Sequence, residues 1–148
     1  MITNEVKHYL QQSVLGWLAT VDAKGMPNVS PKEIFAAWDD RTLLIAHIAS
    51  PVSVQNIRHQ SNVCFSLVDI WVQKGYKLKG QATLLEAGEE FERKKQFLQQ
   101  AFTDRFPIAA IIEMHIESVA PIQAPSYLFF PDTTEAAQVV SARKRYGV

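Results

Sequence analysis

The chain has 148 residues, 47% hydrophobic and 20% charged, which supplies enough apolar material for a single domain with a sizeable core. Lys plus Arg and Asp plus Glu each number 15, and this balance gives no overall pull toward nucleic acid or an acidic membrane surface. No apolar run approaches the roughly 18 residues that span a bilayer.

The opening residues, MITNEVKHYLQQ, lack the basic-then-apolar order of a signal peptide. Cys64 is alone, so no internal disulfide can form, and a cytoplasmic protein is expected. Thr3 or Asn4 can cap a first helix running to about Gln12, with Val6, Tyr9 and Leu10 on one face. LGWLATV reads as a strand, with Leu15, Trp17, Ala19 and Val21 alternating with Gly16, Leu18 and Thr20. DAKGMP carries the turn chemistry of a hairpin through Asp22 and Gly25. NVSPKEIFAAW is the second strand, with Asn28, Ser30, Lys32 and Ile34 on one face. Pro31 cannot donate to a ladder and marks that strand as an edge or a bulge.

After a tight turn at WDDRT, LLIAHI is a third strand, and VCFSLVDIWV and GYKLKGQATLLEA are two more. On the last of these, Lys77, Lys79 and Gln81 share one face while Tyr76, Leu78, Ala82 and Leu84 share the other. The apolar set is expected to fill a barrel and the lysines to face outward, toward a partner or ligand. GEEFERKKQFLQQAF is amphipathic, with an apolar stripe of Phe91, Leu98 and Phe102. IAAIIEMHIESVAPI is a sixth strand, and TTEAAQVVSARKRY a terminal helix. Six strands joined mostly by hairpins, with few short helices, predict a mainly β fold, a six-stranded antiparallel β-barrel.

Between the third and fourth strands lies SPVSVQNI, with Ser50 as N-cap, Pro51 in the favoured first position and Ser53 in the first turn. The first amides of a helix lack internal partners and its dipole makes that end partly positive, so such an end readily holds a phosphate. Ser30 and Lys32, two residues apart on one strand face, would make a second wall of hydroxyl and ammonium. Ordinary capping and a solvated edge lysine account for the same residues on local sequence alone.

Three blocks carry a resemblance: GWLATVDAKGMPNVSPKE, HIASPVSVQNIRHQSNVCFSLVD and GYKLKGQATLL. Together, over residues 13 to 87, they resemble the FMN-binding split-barrel family related to pyridoxamine 5′-phosphate oxidase. The resemblance implies a six-stranded split β-barrel, a homodimer and FMN at the subunit interface. It places Ser30 and Lys32 at the phosphate or ribityl chain and Ile48, Ala49 and Ser50 along the flavin. Val52 and Ser53 would offer helix-start groups to the phosphate, with Asn56 bracing the loop. Many relatives carry a basic residue in this helix start, where this chain has Val52 and Ser53, so Lys32, Lys77 and Lys79 would have to compensate. Trp71 would stack on the flavin or a substrate, or plug the dimer interface.

Other chemistry is thinly represented. His8, His47, His59 and His115 show no metal-ligand spacing, and no metal is expected. Cys64 sits in an apolar strand pattern as a packing residue. There is no G-x-S-x-G elbow, no G-x-G-x-x-G turn and no P-loop, and no catalytic residue stands out. Glu113, His115 and Glu117 share one strand face, which an outward polar surface explains. ARKRY offsets a helix-end dipole. PSYLFFP, at 125 to 131, is expected in core or dimer packing. The ending ARKRYGV lacks the Arg-Leu-x-Pro type of vitamin B6 oxidases, so the family name does not give the activity. The resemblance implies an FMN-dependent oxidoreductase acting on a small organic substrate or a nicotinamide. The alternatives are a non-catalytic flavin carrier, electron-transfer or sensor module, or a barrel that binds haem or a deazaflavin.

Overall fold

A computed structural model describes all residues, Met1–Val148. Helix α1 (Asn4–Gln12) starts where the Thr3 hydroxyl accepts the Val6 amide at 3.3 Å, and it buries Val6 and Leu10, one turn apart. Strands β1 (Gly16–Val21) and β2 (Pro27–Lys32) form the predicted hairpin. The Asp22 carboxylate accepts the Lys24 and Met26 amides, each at 2.8 Å, and Gly25 takes the positive φ of 86° that the turn needs. Then come β3 (Phe35–Ala37), β4 (Thr42–His47), α2 (Pro51–His59), β5 (Asn62–Asp69) and β6 (Lys74–Leu85). Helix α3 (Glu89–Ala101), β7 (Ala110–Gln123), α4 (Ser126–Phe129) and α5 (Glu135–Tyr146) complete the chain.

All seven strands join one antiparallel sheet in the order β2-β1-β5-β6-β7-β4-β3. The two edges, β2 and β3, are consecutive in sequence and separated only by Glu33 and Ile34. A sheet whose opposite edges are joined by two residues must curl round on itself, and this is the split barrel. The strand predicted over residues 28–38 is therefore two strands, which raises the count from six to seven. It breaks because Ile34 turns outward to join the cluster under α3, while its carbonyl accepts the Ala46 amide at 2.9 Å and Phe35 enters the barrel.

Inside the barrel, alternate residues of six strands form the core: Leu18, Phe35, Leu43, Ile45, Phe65, Leu67, Leu78, Ile112 and Met114 among them. Ile2 just before α1, Val6 and Leu10 from α1 and Ile57 from α2 join it. Gly16 permits this packing, since a Cβ there would lie 2.0 Å from the tip of the buried Phe65 ring. Helix α3 covers the outside of β4 and β7 with Phe91 and Leu98 over Leu44, Ala46 and Ile111. That second layer explains why β4 reads as a continuous apolar run rather than an alternation. Phe102 does not complete the α3 stripe; it caps the helix and is half-exposed. Lys94 is instead buried on α3, with Nζ 2.5 Å from Glu113 on β7.

Beyond Gln123, α4 and α5 form an arm docked on the β5–β6 turn. The Tyr127 hydroxyl donates to the Val72 carbonyl at 2.7 Å, Gln138 bonds Gln73 at 2.8 Å, and Lys74 pairs with Glu135 at 2.7 Å. Leu128, Phe129 and Phe130 are exposed, so the aromatic PSYLFFP segment is not core of this chain. No helix is long and apolar enough to cross a membrane.

Candidate functional site

Closure of the sheet decides what meets at α2. Strand β3 flanks β4, and β2 runs straight into β3, so the end of β2 lies beside the loop that leaves β4 for α2. Lys32, the last residue of β2, projects inward from the same face as Asn28 and Ser30 and is only 6% exposed. Its ammonium donates to the Ser50 hydroxyl and forms no ion pair. Burial holds the Lys32 pKa below the ordinary lysine value. A desolvated ammonium with one neutral partner is an expensive arrangement unless an anion completes it.

The helix start beside it is similarly open. Ser50 occupies the N-cap of α2 with Pro51 at the first position, yet its side chain does not cap the helix. Its Oγ is turned toward Lys32 and lies 3.3 Å from His47 Nδ1. Burial first, and then the Lys32 charge, hold His47 below its usual pKa. Together, the uncapped first turn and the ammonium give this spot positive potential from two sources.

Two side-chain bonds fix the helix to the barrel. Ser53, fully buried, shares a hydrogen bond with Ser30 at 2.9 Å. Asn56 Nδ2 donates to the Thr20 hydroxyl at 3.0 Å, both groups being buried. A cleft of about 260 Å³ opens against this corner, lined by Lys32, Ile34, Ile48, Ala49, Ser50 and Phe106. An apolar slot ending at an ammonium, a hydroxyl and helix amides can take a flat molecule with an anionic tail.

Of the residues singled out in the sequence, Lys32, Ile48, Ala49 and Ser50 line the cleft; Ser30 and Ser53 bond each other beside it without lining it, Asn56 anchors the helix through Thr20, and Val52 is exposed on the helix start. Trp71, Lys77 and Lys79 do not reach the cleft within one chain. Trp71 lines a separate groove of about 570 Å³ with Leu15 and Trp17. Its ring meets Tyr146 edge-on at 5.9 Å and Arg143 at 5.6 Å. Lys77 and Lys79 are exposed on the outer sheet face, where Trp17, Ser66 and Lys77 form one cross-strand row and Ala19, Cys64 and Lys79 the next. His47, Thr20 and Phe106 were missed. The inward alternation of β1 could have flagged Thr20, but nothing local marks Phe106, which arrives from beyond α3.

The pyridoxamine 5′-phosphate oxidase family model matches residues 2–123. The chain belongs to this family. Among solved structures, it is similar to HupZ of Group A Streptococcus, with 30% identity, a TM-score of 0.73, and coverage of 84% of this chain and 96% of that one. A pyridoxamine 5′-phosphate oxidase candidate from Lactobacillus delbrueckii is 26% identical with a TM-score of 0.68, covering 80% of this chain and 92% of that one. An FMN-binding protein from Syntrophomonas wolfei shares the fold at 19% identity and a TM-score of 0.67, covering 80% of this chain and 84% of that one. No curated protein matches. The family match ends at residue 123, just before the α4–α5 arm.

Proposed function

We propose that this member of the pyridoxamine 5′-phosphate oxidase family binds FMN and works as an FMN-dependent oxidoreductase on a small organic substrate or a nicotinamide. The observation that carries the reading is Lys32, a buried ammonium without an ion pair beside an uncapped helix start. In this reading Lys32, Ser50 and the first amides of α2 hold the phosphate. Ser30 and Ser53 position that helix start, Asn56 anchors it through Thr20, and Ile48 and Ala49 flank the ring system. Bound FMN supplies hydride transfer, and the chain's own residues orient it and shield one side from water. No acid–base dyad is required of the protein, in keeping with the polar residues found at the cleft.

The same reading takes the protein as a homodimer. Val14, Leu15, Trp17 and Ile70 are exposed beside the Trp71 groove, an apolar surface suited to a second copy. Trp71, Lys77 and Lys79 lie on that outer side and would serve the partner's flavin. The test is the visible spectrum of purified protein supplied with FMN, then anaerobic addition of NADPH. Flavin bands that co-elute with the protein and bleach on reduction support an FMN oxidoreductase. Bands of haem or of a deazaflavin, or no uptake of FMN, reject it, and a flavin inert to every donor reduces the protein to a carrier. Sedimentation of the loaded protein is expected to give a dimer; a monomer with FMN fully bound contradicts the interface.

A further inference from the structure

His47 stands behind Ser50 and does not itself line the Lys32 cleft. We propose that it is a proton-sensitive positioning residue of the anion site: on gaining a proton it frees the Ser50 hydroxyl to donate to a ligand's phosphate, so that phosphate-bearing ligands bind more tightly as pH falls. The inference rests on the flavin reading and names the group that regulates the same site.

A serine hydroxyl has one proton to give and two lone pairs to offer. At Ser50 the Lys32 ammonium, which can only donate, takes one lone pair. Ser50 does not cap α2 with its side chain, and the other group bonded to its Oγ is His47 Nδ1, at 3.3 Å. With a neutral His47 ring, the Ser50 proton goes to Nδ1 and none is left for the cleft. In a protonated ring both nitrogens are donors, so Nδ1 gives its proton to the second lone pair of Ser50. The Ser50 proton then turns toward the cleft, and the imidazolium adds positive charge behind it.

The ring is held in place for this role. His47 ends β4 on the same alternation as Leu43 and Ile45, which fill the barrel. Its backbone pairs with Ala110 of β7, and its carbonyl accepts the Ala109 amide at 3.0 Å. Two charges bear on the ring: Lys32 from β2 opposes its protonation, and Glu86, just after β6, favours it. Glu86 is itself paired with Arg58 of α2, and Glu33 lies exposed at the cleft rim. Burial first, and then Lys32, keep the ligand-free ring neutral at pH 7. A phosphate dianion in the cleft reverses the local field and draws the proton in. Binding that takes up a proton strengthens as pH falls.

The test measures FMN and riboflavin affinities of the full chain by flavin fluorescence quenching, for the parent and His47→Gln. From about pH 8 to about pH 5.5 the ratio of parent to variant FMN affinity should grow about tenfold, the step from neutral to charge-assisted hydrogen bonding. The phosphate's own second ionisation, with a pKa of about 6, acts on both proteins alike. For riboflavin the ratio should stay flat. Nitrogen NMR of the ligand-free parent at high pH should show His47 Nδ1 unprotonated, and the ring's titration midpoint should rise with FMN and not with riboflavin. A flat FMN ratio, an equal rise with riboflavin, or a neutral ring protonated at Nδ1 would overturn the inference while leaving FMN binding in place. No FMN uptake by the parent at any pH would overturn the flavin reading, and this inference with it. Should His47→Gln unfold, the NMR titration of the parent decides alone.

Discussion

Replacing Lys32 with methionine should make the ligand-free protein more stable and its flavin complex weaker. Methionine keeps most of the side chain's length and removes an ammonium that belongs to a residue only 6% exposed, has no ion pair and hydrogen-bonds only the Ser50 hydroxyl. Exchanging a buried charge for an apolar side chain of similar volume is commonly neutral to stabilising, and about 1–2 kcal/mol is expected here, read as a higher urea midpoint at pH 7. The pH dependence identifies the cause. Because burial lowers the folded-state pKa of Lys32, the fold bears the full cost of the charge below that pKa. As pH climbs from there toward the unfolded-state value, the unfolded chain holds more protons and stability rises. Lys32→Met should lack that alkaline rise. FMN affinity, measured by quenching of flavin fluorescence, should fall by about 1–3 kcal/mol, or roughly 5- to 150-fold. In the parent, affinity should also decline as pH rises through the lowered Lys32 pKa. A methionine variant that is less stable than the parent, or that binds FMN equally well, would refute this reasoning.

Three further outcomes test the frame around the site. Asn56→Ala should cost about 1–3 kcal/mol in urea unfolding, because it strands the buried Thr20 hydroxyl that Asn56 now satisfies. Gly80→Ala should yield little soluble protein, since the new Cβ would lie 1.8 Å from the His115 carbonyl oxygen and part β6 from β7 at their register shift; a soluble variant with an unchanged melting point would contradict the packing. Deleting everything after Ala124 should lower the melting temperature by only a few degrees, because Ala142 is the sole apolar side chain that the arm buries almost completely; global unfolding would show the arm to be part of the core.

Periodicity made most of the barrel legible, because alternation along β1, β5, β6 and β7 assigns each inward face directly. The break at Glu33–Ile34 was not legible: it carries no Gly or Pro, and only closure of the sheet requires Ile34 and Phe35 to serve different cores. Lys94 was equally hidden, since its burial depends on Glu113, nineteen residues away on another element. At the site, Ser50 and Ser53 followed from helix-start chemistry and Ser30 and Lys32 from strand parity. That these two local features face each other is a property of the closed sheet; residue chemistry suggested the pairing, and the family resemblance strengthened it over ordinary capping and a solvated lysine. Trp71, Lys77 and Lys79 show the limit of the sequence: strand parity turned the lysines outward, but only the closed sheet shows that this outer face and the Trp71 groove lie away from the cleft.

The most direct measurement compares the affinities of FMN and riboflavin for the parent protein, since the two ligands differ only in the phosphate that Lys32 and the start of α2 are proposed to hold. FMN should bind at least about a hundredfold more tightly, the scale of two charge-assisted hydrogen bonds, and Lys32→Met should shrink that ratio. Equal affinities for the two flavins would contradict the account.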